Sequence, residues 1–523
     1  MYKKIISFFA GMMVTSSFAA EVTTPPLSNQ HLSLLQLPGF FRFSFDNIKM
    51  PYRTQSMGLL GVNYFADLTS SGIYGGLGGY GAITGTQGGL FTLGAAAGWR
   101  YALTSHLSSD VGLFVGGGGG KSSYVGGGLM LRPHAGIQYS WQWLRLGAYY
   151  SYVDFPSGKI RSAQFGLDLD LPTDFYYLSP NDNHINRQWF NIDDIRLPLG
   201  RYLGFQRNDF AILLQAYKQN GGTKNTDGEV QDGTIKLVGA ELDHYFTEKS
   251  FWWLKTSGAF SGIPNGYMDV IGGLGYRLAL GRTRFTLVPK FGVGAGGGGA
   301  VDTGGGLLLN PLIGIEWPLT SAFSARLSSG YLWSAHGTFK AVPITAELLY
   351  HLDLATAETK KTKNTADYYD IQGWRVQLLN QTYLHPKRSA YRTTSRINLI
   401  AVQLDQLFTP TFFLSYQAAA AYNGFHAGGY ATGMLGPGIQ SRKFYEDKVQ
   451  FFAECLIGAG GGGGLALSGG SVIEPVLGLR YAFTPIMGLQ ASMSKIKAFH
   501  DKLNAPIVNI GLTVRFDTLK EDY

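Results

Sequence analysis

The sequence is short of three things. It has one cysteine, Cys455, in 523 residues, which excludes an intramolecular disulfide framework and any multi-cysteine metal site. In FAECLIGAG that residue reads as a small packed strand residue. Charged residues make up only 15% of the chain and are dispersed. The net charge of +8 suits an anionic lipid surface, but no basic cluster supports a nucleic-acid partner. Beyond the N-terminal segment there is no run of about 18 apolar residues, so helical membrane spans are excluded. Neither an H-x-x-x-H spacing nor a P-loop is found, so no metal site and no cofactor are expected.

Glycine and aromatics are abundant instead, with 72 glycines and 14% Phe, Trp and Tyr. High glycine alone would suggest a disordered chain, but disorder excludes aromatics and favours charge. The combination fits β-structure in a membrane. At the N-terminus, Lys3 and Lys4 precede an apolar run from Ile5 to Val14, with Ser17 and Ala19 following. This reads as a Sec-type signal peptide over residues 1–20, cleaved near Ala19 or Ala20.

Self-comparison reveals a triplication. The stretch VGLFVGGGGGKSSYVGGGLMLRP recurs as GVGAGGGGAVDTGGGLLLNP and IGAGGGGGLALSGGSVIEP. Each copy runs into P-x-x-G-x-x-aromatic: Pro133-Gly136-Tyr139, Pro311-Gly314-Trp317 and Pro475-Gly478-Tyr481. Upstream, Gly98, Gly275 and Gly438 keep nearly the same frame. Each copy divides into eight strands by alternation and turn residues, with tight turns at every second junction and longer loops between. That is the arrangement of an outer-membrane barrel.

The faces agree with this reading. After the first glycine run, Leu131, Ala135, Ile137 and Tyr139 share one side, and Arg132, His134 and Gln138 the other. The second copy opposes Ile313, Ile315 and Trp317 to Asn310 and Glu316, and the third opposes Leu477, Leu479 and Tyr481 to Glu474 and Arg480. The expectation is apolar residues toward lipid and polar residues toward a lumen, where they form an internal network or line a pore.

The last strand, NIGLTVRF, resembles the C-terminal assembly signal of bacterial outer-membrane barrels, carried here by Asn509, Gly511, Val514 and Phe516. The tail DTLKEDY follows it. The resemblance to small eight-stranded barrels implies an outer-membrane location. It also implies contact with outer-membrane lipids and lipopolysaccharide, and with the barrel-assembly machinery during biogenesis.

The fold expected is therefore all-β, a transmembrane β-barrel protein of three eight-stranded antiparallel repeats. Three tandem barrels are favoured over one 24-stranded barrel, because the joints are long and polar and no segment is large enough to plug a wide lumen. The expected order is an N-terminal linker 21–37, repeat 1 at 38–172, a periplasmic linker 173–205, repeat 2 at 206–352, a second linker 353–373, and repeat 3 at 374–523. The functional expectation is a non-enzymatic structural or surface-interaction protein, with a narrow pore allowed. A porin-like wide channel is the alternative. A lipid-modifying enzyme would rest on His106 and Ser108 in TSHLSSD, a faint His-x-Ser at a short turn.

Overall fold

In the computed structural model of the chain, the period-two alternation becomes three separate antiparallel barrels of eight strands. The structure describes residues 32–521, apart from 54, 121, 182–184, 186–194, 198–199, 263–265, 359–368 and 391–394. The expected signal peptide lies outside the described residues.

The first barrel comprises β1 (Leu35–Ile48), β2 (Met57–Asp67), β3 (Ile73–Ala82), β4 (Phe91–Ala102), β5 (Leu107–Gly119), β6 (Met130–Ser140), β7 (Arg145–Asp154) and β8 (Arg161–Tyr177). The second comprises β9 (Asn208–Gln219), β10 (Thr234–Tyr245), β11 (Ser250–Ser261), β12 (Met268–Tyr276), β13 (Thr286–Gly297), β14 (Leu307–Pro318), β15 (Phe323–Gly330) and β16 (Lys340–His351). The third comprises β17 (Tyr369–Tyr383), β18 (Ile397–Leu407), β19 (Phe412–Asn423), β20 (Ala431–Gln440), β21 (Val449–Gly461), β22 (Ser471–Ala482), β23 (Met487–Ala498) and β24 (Asn504–Glu521).

Each barrel closes on itself. β1 pairs with β8, as Arg42 opposite Asp170 illustrates. β9 pairs with β16, and β17 with β24. A single 24-stranded sheet is thereby ruled out, since the first strand of each repeat is occupied by the last strand of the same repeat. The strands overrun the expected limits in places. β8 reaches Tyr177 because its ladder continues to Leu35, and β17 starts at Tyr369 opposite Glu521. The segment expected to trail behind the last strand is thus part of β24 as far as Glu521.

The glycine frame shared by the repeats has a packing cause. A Cβ at Gly98 would strike the Tyr74 ring, at Gly275 the Phe251 ring, and at Gly438 the Phe413 ring. In each barrel the third strand thus sends an aromatic ring inward over a glycine of the fourth, and a side chain there would displace the ring.

The barrels meet in a ring. The loop after the third strand of each touches the end of the fifth strand, or the loop after it, in the next. Gly88 N donates to Gly304 O at 2.9 Å between the first and second barrels. Gly428 N donates to Gly126 O at 2.9 Å between the third and first. Between the second and third, a Cβ at Gly266 would lie 3.0 Å from Gly462 N. One heterologous contact repeated three times closes a cycle, as in a ring of subunits. The glycine runs therefore sit partly in strand ends and partly in loops, where they let one backbone approach another. Near the opposite, short-turn end, aromatic pairs bridge the barrels: Phe41 with Trp252 at 6.2 Å, Phe210 with Tyr416 at 4.7 Å and Phe175 with Phe516 at 5.1 Å between ring centres.

The described parts of the joints are structured as well. Leu32–Ser33 pairs in parallel with Ile195–Arg196, and Tyr202–Gln206 pairs antiparallel with Leu354–Glu358. Leu34, Leu178, Leu203, Ala357, Tyr369 and Leu519 share one small apolar core there. Segments expected as polar linkers therefore tie the barrels together at the short-turn end.

Gly297 has a φ of +150°, and a Cβ on it would lie 2.5 Å from Gly89 N in the neighbouring barrel. Gly297→Val should destabilise the folded protein by about 2 kcal/mol or more. Gly221→Ala, with open space around it, should leave stability unchanged. The temperature at which the compact, unheated gel form disappears measures both.

Candidate functional site

The lumens are the places where polar side chains converge, and each holds its own network. In the first barrel, Arg42 on β1 is the hub. Its guanidinium meets Asp170 through Nε at 2.7 Å and Nη2 at 2.9 Å, and Asp110 through Nη1 at 3.0 Å and Nη2 at 3.1 Å. Asp110 also accepts from Tyr74 OH at 2.9 Å and lies 2.8 Å from His134 Nε2. Gln138 donates to Asp168 and Asp170, both at 3.1 Å. Deeper in, Arg132 Nε donates to Asp46 at 2.7 Å and its guanidinium lies 4.7 Å from the Tyr149 ring centre.

The second lumen is built round Arg326, which has no solvent exposure in its side chain. It donates to Asp243 at 2.9 Å and to Glu241 at 2.5 Å and pairs with Glu347. Lys290 Nζ reaches Glu241 at 2.6 Å, and Arg277 reaches Glu316 at 2.8 Å. Asn310 donates to Tyr331 O at 3.0 Å. In the third lumen, Arg375 and Arg480 share Asp405 Oδ2 at 2.9 and 3.2 Å. They also share Gln440 Oε1 at 3.0 and 3.1 Å. Glu454 accepts from Ser415 at 2.7 Å, and Ser494 donates to Glu474 at 2.6 Å.

Arg132, His134, Gln138, Asn310, Glu316, Glu474 and Arg480 thus all point inward, each within its own barrel, and among the described residues no two lumens share a network. The residues that organise the networks were not singled out from the sequence: Arg42, Asp110 and Asp170, then Glu241 and Arg326, then Arg375 and Asp405. Their signal was the same alternation. In FFRFSF, Arg42 and Ser44 fall between phenylalanines, and the buried face is theirs.

The interior is not polar throughout. Toward the glycine-rich end the lumen of the first barrel is apolar, filled by Met57, Leu59, Phe114, Val125, Met130 and Phe155. Corresponding cores in the others include Ile235, Leu308 and Phe339, and Leu399, Val472 and Ile496. Leu312 and Val476, which stand where His134 does in the first repeat, are buried too. The cause is size: eight strands enclose just enough room for side chains to fill, and a filled interior packs most favourably with apolar groups. Ile185 from the first joint also belongs to the third barrel's core.

The other sequence-marked residues fall elsewhere. His106 is exposed, with Nδ1 2.9 Å from Ser105 Oγ, and its ring stacks on Tyr139 at 5.8 Å. Ser108 is buried, so the structure does not bring the pair together. Of the assembly-signal residues, Asn509 faces the lumen and donates to Ser492 at 3.2 Å. A Cβ on Gly511 would meet Leu379. Val514 faces outward, and Phe516 packs on Phe175 of the first barrel. Cys455 is free and half-buried.

The outer faces are apolar. Phe165 is 82% exposed, Leu477 67% and Met493 70%. Exposed aromatics gather at the short-turn end, among them Tyr101, Tyr139, Trp141 and Trp143. An apolar band bounded by aromatics on a closed antiparallel sheet defines the transmembrane β-barrel class.

Comparison with solved structures finds likenesses of low score. The chain is similar to Pseudomonas aeruginosa OpdQ, with 9% identity over 93% of this chain and 98% of that one, at a TM-score of 0.20. It is similar to an enterobactin-bound mutant of the ferric enterobactin receptor PfeA from Pseudomonas aeruginosa, with 10% identity over 92% and 81% and a TM-score of 0.27. The NanC porin shares 10% identity over 58% and 98%, with a TM-score of 0.15. Likeness at these scores carries nothing about ligands. Neither a protein-family model nor a curated protein matches the sequence.

Arg326→Met would leave Glu241, Asp243 and Glu347 buried without their shared cation. The cost should be about 3–5 kcal/mol, measured by denaturant unfolding in detergent micelles. Adding Glu347→Leu, which removes one of the stranded carboxylates and leaves Lys290 paired with Glu241, should recover part of it.

Proposed function

We propose that this chain is an integral protein of a bacterial outer membrane, three sealed barrels in one body, with a structural or surface-presenting role. The observation that carries this reading is the filling of every lumen. Charged networks and apolar cores together fill the interior, with hubs such as Arg326 wholly enclosed. A conducting lumen needs a continuous hydrated path, and an eight-stranded interior filled with side chains leaves none.

The membrane reading is supported by the exposed apolar bands, which would be a liability in water. The resemblance of NIGLTVRF to an assembly signal gives the barrel-assembly machinery as the route in. The short turns and joints face the periplasm in this reading, and the glycine-rich loops face outward, toward lipopolysaccharide. An enzymatic role resting on His106 and Ser108 has no support, because His106 is exposed in the turn before β5, stacked on Tyr139, while Ser108 is buried.

Reconstituted into planar bilayers, the mature chain should insert without discrete conductance steps. Reproducible steps would contradict the sealed-barrel reading and favour a transport channel. The protein should also require detergent or lipid to remain monodisperse.

A further inference from the structure

We propose that the short-turn mouth of the third barrel is a binding site for a phosphoryl anion. Among the described residues, Arg375, Arg480, Arg515, Lys443 and Lys448 line one depression of about 40 Å³ there, and no carboxylate lines it. A single water needs roughly 10–15 Å³, so the space suits a small tetrahedral group. The cations come from four different parts of the barrel: β17, β22, β24 and the loop between β20 and β21.

In the first barrel, Arg42 on the first strand stands opposite Asp170 on the last, and the two form a direct ion pair at 2.7 Å. In the third barrel the corresponding strands place Arg375 opposite Arg515. Like charges across a ladder repel. Asp405 takes Arg375 and Arg480 from the lumen side, and Lys448 also reaches the exposed Glu446 at 2.5 Å. Arginine guanidinium groups match phosphate in bidentate geometry, and lysines at a rim add charge without fixing direction.

The phosphoryl group has two sources: free phosphate or a phosphomonoester in solution, and the headgroup of a phospholipid. Tyr481, Ile486 and Met487 on the rim put apolar surface beside the charge, as a lipid headgroup would need. Binding of free phosphate does not depend on the membrane reading, so its failure would leave that reading standing.

The test is calorimetric titration of the full chain in a nonionic detergent, first with inorganic phosphate and then with short-chain phosphatidylglycerol. Two variants are compared: the rim variant Lys443→Gln with Lys448→Gln, and Arg515→Gln. Lys497→Gln, exposed on the outer face near the glycine-rich end, is the control. Heat-modified gel mobility reports folding, and if Arg515→Gln fails to fold, the rim variant decides. Saturable phosphate binding, weakened about tenfold or more in the variants and unchanged in the control, is expected. Binding of the lipid alone, with the same losses, upholds the site and assigns it to a headgroup. Binding of neither ligand, or binding unaltered by the variants, overturns the proposal.

Discussion

Two backbones come within hydrogen-bonding distance only where neither carries an obstructing side chain, and the arrangement of this molecule depends on that constraint. A closed barrel has no free edge and can attach to another only through its face or its loops. In a membrane the hydrophobic effect gives no help, because lipid tails are as apolar as leucine. Close approach of small residues remains. At Gly88 and Gly304, and again at Gly428 and Gly126, a backbone N–H of one barrel reaches a carbonyl of another. Ala295 and Gly81, and Ala459 and Gly258, bring small outward residues into contact in the same zone. Three barrels strung on one chain thereby become one ring, and the joints add a second attachment at the short-turn end.

The barrels solve a different problem inside. An eight-stranded lumen is too narrow for bulk water and too polar at one depth to be left unpaired. Buried ion pairs add little net stability against apolar replacements, so the networks of Arg42, Arg326 and Arg375 are better understood as keeping register and closure than as the source of stability. Stability comes from the closed backbone ladders, which satisfy every strand in lipid, and from the apolar cores beneath the glycine-rich loops. The same frame position carries Gln138, Glu316 and Arg480 in the three repeats. Each lumen has been neutralised separately, and the third differs by clustering cations at its mouth.

The architecture was legible because its signals are periodic. Alternation in strands such as MGLQASMSKIKA survives intact as alternate exposure and gave the strand count; the recurring glycine runs gave the triplication, and the long joints the separation into three barrels. The functional core was less legible. Which inward residues pair is decided across the lumen, by partners on strands far apart in sequence, such as Arg42 with Asp110. Apolar inward residues such as Leu59, Phe114 and Leu308 carry no mark that distinguishes them from lipid-facing ones. The joints read as linkers because their apolar residues, Leu178, Leu203 and Ala357, are scattered among polar ones and find one another only once the barrels are in place. The glycine runs marked the repeats; only the fold showed that they let a neighbouring repeat approach closely.

The contact between barrels is most directly tested at Gly258 and Ala459, where a Cβ on the glycine would stand 3.4 Å from the alanine's, close to the separation a disulfide requires. In a Cys455→Ser background, Gly258→Cys with Ala459→Cys should oxidise readily in intact membranes and change the mobility of the fully denatured chain on a non-reducing gel. If the pair stays reduced under conditions that oxidise a cysteine pair placed across two adjacent strands of one barrel, the ring of barrels described above is wrong.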